Sequence, residues 1–324
     1  MNFHLSKPLF IIIITLILSM FLTFTHRTSA NDLNAFNDSK IGVLVLAHGA
    51  GPKWNNAIKE AVANVQGRFK KEIVFGMGEY DSIQQGINNL EKSMVKAIIV
   101  IPLFISSHSE MYRNIEYLLG LREEPDVLFW ILMGGEETGD ESGNGHDGHT
   151  DYKMDITTQV KFSVPYSMAS AINYDISITK ILEERIKELK ISDYSKTSIF
   201  LLAHGPITED DNKMWMLHLN IYPSSLSDEF PGANFFALTF RDDAPSFIRN
   251  KAIEKIREAI QKEKKTGKNV LVNPYLLAPG GREEELKKIL ENCGCTFYPK
   301  TLLPHKNISL WIEGQILGAK ERLQ

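Results

Sequence analysis

The chain has 324 residues, of which 43% are hydrophobic and 23% are charged, and its formal net charge is -4. This composition excludes a largely disordered chain and leaves room for one large or two medium domains. Because the charge shows no basic excess, we expect no nucleic-acid partner.

The N-terminus combines a positive charge with an apolar run. Lys7 precedes an unbroken apolar run over residues 9–22, and the small residues Thr28-Ser29-Ala30 follow it. This pattern is typical of a signal peptide cleaved near Ala30, because the run is shorter than the roughly 20 apolar residues of a membrane-spanning helix. An uncleaved anchor is the alternative, and it would be the only membrane contact we expect. Residues 1–30 thus predict an exported protein, periplasmic or otherwise extracytoplasmic.

The first part of the mature chain alternates apolar runs with helical patterns. Residues 41–47 (IGVLVLA) form a continuous apolar run that ends at His48-Gly49, as in a strand buried on both faces of a parallel sheet. Helical patterns follow over residues 54–65, 82–93 and 110–119, and strand patterns over residues 72–77, 97–104 and 127–133. This order predicts helices on both faces of the sheet and ligand chemistry at the carboxyl ends of its strands.

An acidic, glycine-rich segment over residues 134–151 comes next. It cannot bury apolar surface, so we expect a solvated loop, with weak metal delivery by His146 and His149 as an added role to test. Beyond the loop, the pattern predicts a strand over residues 159–164 and a helix over residues 176–189.

The second part of the chain repeats the first. Residues 197–203 (TSIFLLA) end at His204-Gly205, and residues 269–277 carry a proline at the point where residues 97–104 carry theirs. Between these runs, the pattern predicts a strand over residues 235–240 and a helix over residues 245–262. The repetition indicates an internal duplication.

These patterns define the fold class. We predict an α/β protein of two doubly wound parallel-sheet units related by duplication, with the first unit over residues 39–155 and the second over residues 156–324. The only cysteines are Cys293 and Cys295. They could bind a soft metal, but two small residues before a strand is the interpretation we favour.

Two histidines stand at the predicted carboxyl edge of the first sheet. His48 follows the first strand and His108 follows the third. A single histidine after a strand is often a hydrogen-bonding loop residue. The matched placement of the two also permits a site in which both imidazoles bind one metal ion.

Four segments carry a resemblance to a known family. They are IGVLVLAHG, AIIVIPLFISSHSEMYRNIEYLLG, FALTFRDDAPSFIRNKAI and VLVNPYLLAPGGREEELKKIL, and they resemble the class II sirohydrochlorin chelatases. The resemblance covers nearly all of the mature chain. It implies a chelatase fold and the insertion of Co²⁺, Fe²⁺ or Ni²⁺ into a tetrapyrrole.

By this resemblance, His48 and His108 match the paired metal-binding histidines of the amino-terminal unit. Neutral imidazole suits both tasks of the reaction, because it binds these ions and accepts protons from pyrrole nitrogens. His48 and His108 are therefore our candidate catalytic residues as well as metal ligands. Glu79 is the candidate third ligand and Glu110 a weaker one; a solvent-exposed loop carboxylate is the alternative interpretation of Glu79.

The second unit departs from the pattern that the resemblance implies. It keeps His204, but Ala278-Pro279-Gly280-Gly281 stands where the first unit has Ser106-Ser107-His108, so we expect one metal site per chain. Asn173-Tyr174-Asp175 lies where the family often has a histidine.

We expect the second unit to cover a planar tetrapyrrole, with His204, Arg241 and Arg282 meeting its carboxylates. Simple surface solvation is the alternative for both arginines. Trp215 and Met216 are the side chains most worth testing for stacking on the macrocycle.

Two functions follow for this chain. The first is a metal chelatase acting on a sirohydrochlorin-type tetrapyrrole. The alternative is an exported carrier that binds metal or tetrapyrrole without turnover, since cobalt and iron insertion usually takes place in the cytoplasm. A hydrolase finds little support, because no G-x-S-x-G elbow accompanies the Ala-His-Gly turns.

Overall fold

The computed structural model describes residues 38–76, 78–133 and 155–323. The predicted signal or anchor over residues 1–30, together with His146 and His149, lies outside the described residues. Across the three described ranges, every helix is too short or too polar to span a bilayer.

The first sheet has four parallel strands in the order β2-β1-β3-β4. The strands are β1 (Ile41–Ala47), β2 (Lys70–Phe75), β3 (Ala97–Pro102) and β4 (Tyr166–Met168). The helices connecting them are α1 (Pro52–Ala63), α2 (Tyr80–Lys92), α3 (Glu110–Leu118) and α4 (Val127–Leu132). All seven residues of β1 and all six of β3 are buried, which explains why these strands are continuous apolar runs.

The second sheet has the same strand order, β6-β5-β7-β8. Its strands are β5 (Thr197–Ala203), β6 (Asn234–Thr239), β7 (Asn269–Pro274) and β8 (Thr296–Phe297). Helix α5 (Ile176–Glu188) precedes β5. The helices that follow β5 are α6 (Glu209–Leu219), α7 (Ile221–Glu229), α8 (Ser246–Lys265), α9 (Arg282–Ile289) and α10 (Lys306–Glu321).

The two sheets also share a register. Leu46 of β1 lies opposite Pro102 of β3, and Leu202 of β5 lies opposite Pro274 of β7. Each sheet supports its own apolar core. The predicted α/β fold of two duplicated parallel-sheet units is therefore confirmed.

Two predicted strands are wrong. Residues 127–133 contain the helix α4, because the Asp126 carboxylate accepts a hydrogen bond from the Phe129 amide at 2.9 Å and caps the helix. Residues 159–164 form no ladder: the amide of Val160 donates to the Leu118 carbonyl at the end of α3. The strand that completes the first sheet is β4, just beyond this segment.

The chain ends on the side of the first sheet. Helix α10 packs against α1, α5, β3 and β4, and the Ser309 hydroxyl donates to the Ala61 carbonyl at 2.8 Å. The first sheet thus takes β4 from beyond residue 155, where we placed the division between the units, and a covering helix from the C-terminus. The apolar face of a sheet must be buried against another element, and a segment from any part of the chain can bury it.

Candidate metal centre

A histidine followed by a glycine ends the first strand of each sheet. Gly49 and Gly205 both have φ of +78°. A Cβ on Gly49 would lie 3.1 Å from the Cβ of Phe75, and a Cβ on Gly205 would lie 2.6 Å from the Cβ of Thr239. Only glycine suits this combination of left-handed backbone and close neighbour. The turns place His48 and His204 at the carboxyl edges of their sheets.

His48 is half-buried, and its Nδ1 lies 2.6 Å from the Gly49 carbonyl oxygen. A carbonyl oxygen only accepts hydrogen bonds, so Nδ1 carries the proton in this arrangement. The neutral ring therefore offers Nε2 as its lone-pair nitrogen, in the way that a second hydrogen bond orients many metal-binding histidines.

His108 lies in the turn that leads into α3. Its amide donates to the Ser106 hydroxyl at 3.1 Å, and Ser109 caps the helix by accepting from the Tyr112 amide at 3.2 Å. The neighbouring Ser107 amide donates to Asn173 Oδ1 at 2.8 Å. Asn173 lies where the family that the sequence resembles often has a histidine, and here it helps to position the turn that carries His108.

Glu79 and Glu110 each hold a buried carboxylate oxygen for which the described residues supply no hydrogen-bond partner. The Glu79 carboxylate folds back over the end of β2, so that a Cβ on Gly76 would lie 2.4 Å from its Oε1. Burial raises the pKa of Glu110, since desolvation disfavours the charged form. An unpaired buried oxygen of this kind is a group that a cation would satisfy.

The clearest cluster of metal-binding side chains lies in the second unit. Within the described residues, the possible ligand atoms of His204, Asp242 and Asp243 all lie within 4.8 Å of one another. His204 Nδ1 lies 3.6 Å from Asp242 Oδ1 and 3.9 Å from Asp243 Oδ2. In this structure, the possible ligand atoms of His48, Glu79 and His108 are not all within 4.8 Å of one another.

Arg282 neutralises the aspartates of this cluster. Its guanidinium contacts the carboxylate of Asp242, whose side chain is 4% exposed, and lies 2.9 Å from Asp243 Oδ2. Burial and the nearby Arg282 charge lower the pKa of His204 to about 4. The imidazole is therefore neutral at physiological pH, the form in which its ring nitrogen can bind a metal ion.

Arg241, predicted to meet a tetrapyrrole carboxylate, is occupied by its own loop. Its side chain is 3% exposed, and its guanidinium donates to the Pro206 carbonyl at 2.6 Å, to the Ile207 carbonyl at 2.5 Å and to Glu209 at 2.9 Å. These bonds shape the turn after His204. A direct contact between Arg241 and substrate stays a prediction, and it would require this turn to open.

Helix α6 brings the second unit against the histidine turn of the first. Arg113 of α3 makes two hydrogen bonds to Asp211, of 2.7 and 3.1 Å, and one of 2.6 Å to Asp126. Trp215 Nε1 donates to the His108 carbonyl at 2.7 Å, and the rings of His108 and His218 have centroids 5.5 Å apart.

Sequence reasoning missed Asp211, His218 and the two aspartates beside His204. The i, i+4, i+7 spacing of Asp211, Trp215 and His218 was a helical pattern available in the sequence for Asp211 and His218. Cys293, by contrast, is a free cysteine buried in the second core, in line with the favoured structural interpretation.

Both the sequence and the fold of this chain are similar to those of known proteins. The CbiX family model matches residues 42–189. A structure described as SirB from Bacillus subtilis with Fe³⁺ superposes with a TM-score of 0.57 at 16% identity, over 88% of this chain and 98% of that chain. The sirohydrochlorin chelatase SirB from Bacillus subtilis subspecies spizizenii, in complex with cobalt, gives 0.53 at 15% identity, over 87% and 96%.

A third structure, DR2241 from Deinococcus radiodurans, is described as a multi-domain protein with structural similarity to chelatases. It superposes with a TM-score of 0.51 at 10% identity, over 86% of this chain and 55% of that chain. No curated protein matches the chain significantly in sequence.

At these identities, the solved structures establish the fold. The family match spans β1 to α5 and includes His48, Glu79 and His108. Residues 42–189 thus match the CbiX family, in line with the resemblance of the sequence motifs to class II chelatases.

Proposed function

We propose that this protein inserts a divalent metal ion, Co²⁺, Fe²⁺ or Ni²⁺, into a sirohydrochlorin-type tetrapyrrole. The observation that carries the proposal is the occurrence of imidazoles and carboxylates at the carboxyl edges of both sheets, in a chain whose residues 42–189 match the CbiX family. Borderline divalent ions accept this mixture of nitrogen and oxygen ligands.

The chemistry requires a loosely held ion and groups that accept protons. As one M²⁺ enters the macrocycle, two pyrrole N–H bonds break, and the two protons leave for protein groups and then water. His204 is only a weak base, because burial and the Arg282 charge lower its pKa to about 4, so it would hold such a proton briefly before passing it to water. The unpaired carboxylate oxygen of Glu110, whose pKa is raised by burial, is a further acceptor.

The proposed ligands of the ion are His48, His108 and Glu79. His48 has the tautomer that leaves Nε2 free, and Glu79 has a carboxylate oxygen without a partner. The two SirB structures, described with Fe³⁺ and with cobalt, support testing iron and cobalt first.

The proposed contacts to the tetrapyrrole lie in the second unit. Arg282 has a side chain that is 38% exposed, and Asp243, which it pairs with, is 49% exposed. A substrate carboxylate can therefore reach the guanidinium and exchange with Asp243, giving the fork-shaped pairing that arginine favours. With a substrate carboxylate bound to Arg282, the negative charges of the aspartates beside His204 would be compensated less.

Insertion of Co²⁺ into sirohydrochlorin, followed by the change in the visible spectrum, tests the proposal on the full chain. We expect turnover above the uncatalysed rate, and its loss in His48→Ala and in His108→Ala. His305→Asn is the matched control, because it removes an imidazole elsewhere while asparagine still caps α10.

Tight binding of Co²⁺ or sirohydrochlorin without any acceleration would contradict catalysis and favour the exported carrier. Unchanged Co²⁺ binding in both alanine variants would contradict the ligand assignment.

We further propose that residues 1–30 direct export of the protein, with cleavage near Ala30. N-terminal sequencing of the protein from a fractionated expression host tests this directly. A mature chain beginning near residue 31 in the periplasmic fraction is the expected result, and an intact N-terminus in the cytoplasmic fraction would contradict it.

A further inference from the structure

One face of α6 contacts the His108 turn at three successive points. Asp211, Trp215 and His218 are spaced i, i+4 and i+7, so they share a face of the helix. Asp211 pairs with Arg113, Trp215 Nε1 donates to the His108 carbonyl at 2.7 Å, and the His218 ring lies beside the His108 ring. A helix of the second unit thus brings an imidazole to the predicted metal ligand of the first.

The geometry of the two rings suits a shared ion. Their centroids are 5.5 Å apart and their planes are inclined by 40°. Two imidazoles bound to one ion through nitrogens about 2.1 Å from it place their ring centres roughly 5 Å apart. His218 Nδ1 is buried and has no hydrogen-bond partner among the described residues. A buried ring nitrogen without a partner costs free energy that a bound cation would recover.

The surrounding contacts hold this pair in place. Arg113 bridges Asp211 and Asp126, whose side chains are only 10% and 9% exposed. Charge-assisted hydrogen bonds of this kind fix the relative position of α3 and α6. Since the Trp215 indole also donates to the backbone of His108, two independent contacts hold the His108 turn against α6.

We propose that His218 is a further ligand of the metal ion held by His108, so that both units contribute to one site. The proposal rests on the proposed function only in that this ion is the one to be inserted. It gives the second unit a metal-binding role although its own turn, at Ala278-Pro279-Gly280-Gly281, carries no histidine. In this view the duplicated unit supplies its imidazole from a helix instead of from the equivalent loop.

Titration of the full chain with Co²⁺ alone, by calorimetry and by visible absorption, tests the proposal. The variants are His218→Gln and His108→Gln, which keep the size of the side chain, and the double variant. Leu217→Ala is the matched control, since Leu217 precedes His218 on α6 and is 60% exposed. We expect each glutamine variant to weaken Co²⁺ binding about tenfold or more, the loss of roughly 1.4 kcal/mol.

The double variant distinguishes shared from separate sites. Two ligands of one ion should show non-additive losses, whereas ligands of two ions should show additive ones. His218→Asp should recover part of the affinity with an altered visible spectrum, because carboxylate can bind the ion but cannot reproduce the packing of the ring.

Wild-type affinity in His218→Gln, with affinity lost in His108→Gln, would overturn the shared site and leave the proposed chelatase function standing. The proposed function can also fail while the shared site stands. Co²⁺ binding that depends on His218, in a protein that inserts no metal into sirohydrochlorin, would overturn the chelatase function and support His108 and His218 as ligands of one ion.

Discussion

The two units meet each other through two related contacts that have diverged in chemistry. In one, the turn after β3 that carries His108 meets α6, the helix that follows the first strand of the second unit. In the other, the turn after β7 that carries Gly280 meets α1, the helix that follows the first strand of the first unit, where a Cβ on Gly280 would lie 2.9 Å from Trp54 Cδ1. Each contact joins a third-strand turn to a first helix across the units.

The charges differ as sharply as the turn residues. The first contact contains Arg113, bonded to two nearly buried aspartates. The second contains Lys53, 76% exposed and 3.9 Å from Glu283. The duplicated backbone thus keeps one geometry, while one copy holds imidazoles in a charged scaffold and the other is filled by aromatic packing.

The largest effect that we expect comes from Arg113→Ala. It would leave Asp126 and Asp211 buried without their shared partner, which should lower the free energy of unfolding by about 3–5 kcal/mol. Urea denaturation measures the loss. Arg122→Ala, at an exposed position of the same unit, should change stability by less than about 0.5 kcal/mol. Equal effects of the two substitutions would show that the buried charge network does not hold the units together.

A smaller effect should follow from Gly280→Ala. The added methyl group meets the Trp54 ring at 2.9 Å, so overpacking should cost about 1–3 kcal/mol. Combining it with Trp54→Leu should recover part of that loss, because the smaller side chain leaves room. Thermal or urea unfolding of the single and double variants measures both terms, and strictly additive losses would contradict direct packing of the turn on α1.

The smallest effect should come from Lys53→Ala. Glu283 Oε2 already accepts hydrogen bonds from the amides of Gly280 and Gly281, both at 3.0 Å, and these lower its pKa more than the charge of Lys53 does. An exposed ion pair contributes little, and we expect a loss below about 0.5 kcal/mol. A loss approaching that of Arg113→Ala in the same urea assay would remove the contrast between the two contacts.

Much of the fold was predictable because buried parallel strands leave a strong local signal. The runs IGVLVLA and TSIFLLA coincide with β1 and β5 residue for residue, and the histidine after each run lies at a sheet edge as predicted. The predicted strand over residues 127–133 failed for a related reason: an apolar run does not by itself distinguish a strand from a helix, and the cap by Asp126 decides for α4.

Parts of the candidate site lay beyond reach of the sequence, because they depend on contacts between distant segments. His108 and His218 are 110 positions apart by their numbers and meet only because α6 docks on α3. Arg241 was predicted to meet a tetrapyrrole carboxylate, with surface solvation as the alternative, and its guanidinium donates to the carbonyls after His204. Nothing in its local pattern indicated that these carbonyls would be within reach.

The sequence by itself determined the duplicated α/β architecture, the family motifs and the histidines at the strand ends, since each follows from periodicity or from a short motif. The tertiary structure decided which of those histidines has neighbours. It placed His204 between Asp242 and Asp243, paired these with Arg282, and brought His218 to His108. Side chains acquire partners through packing across the chain, and a local pattern carries no information about which distant residue will arrive.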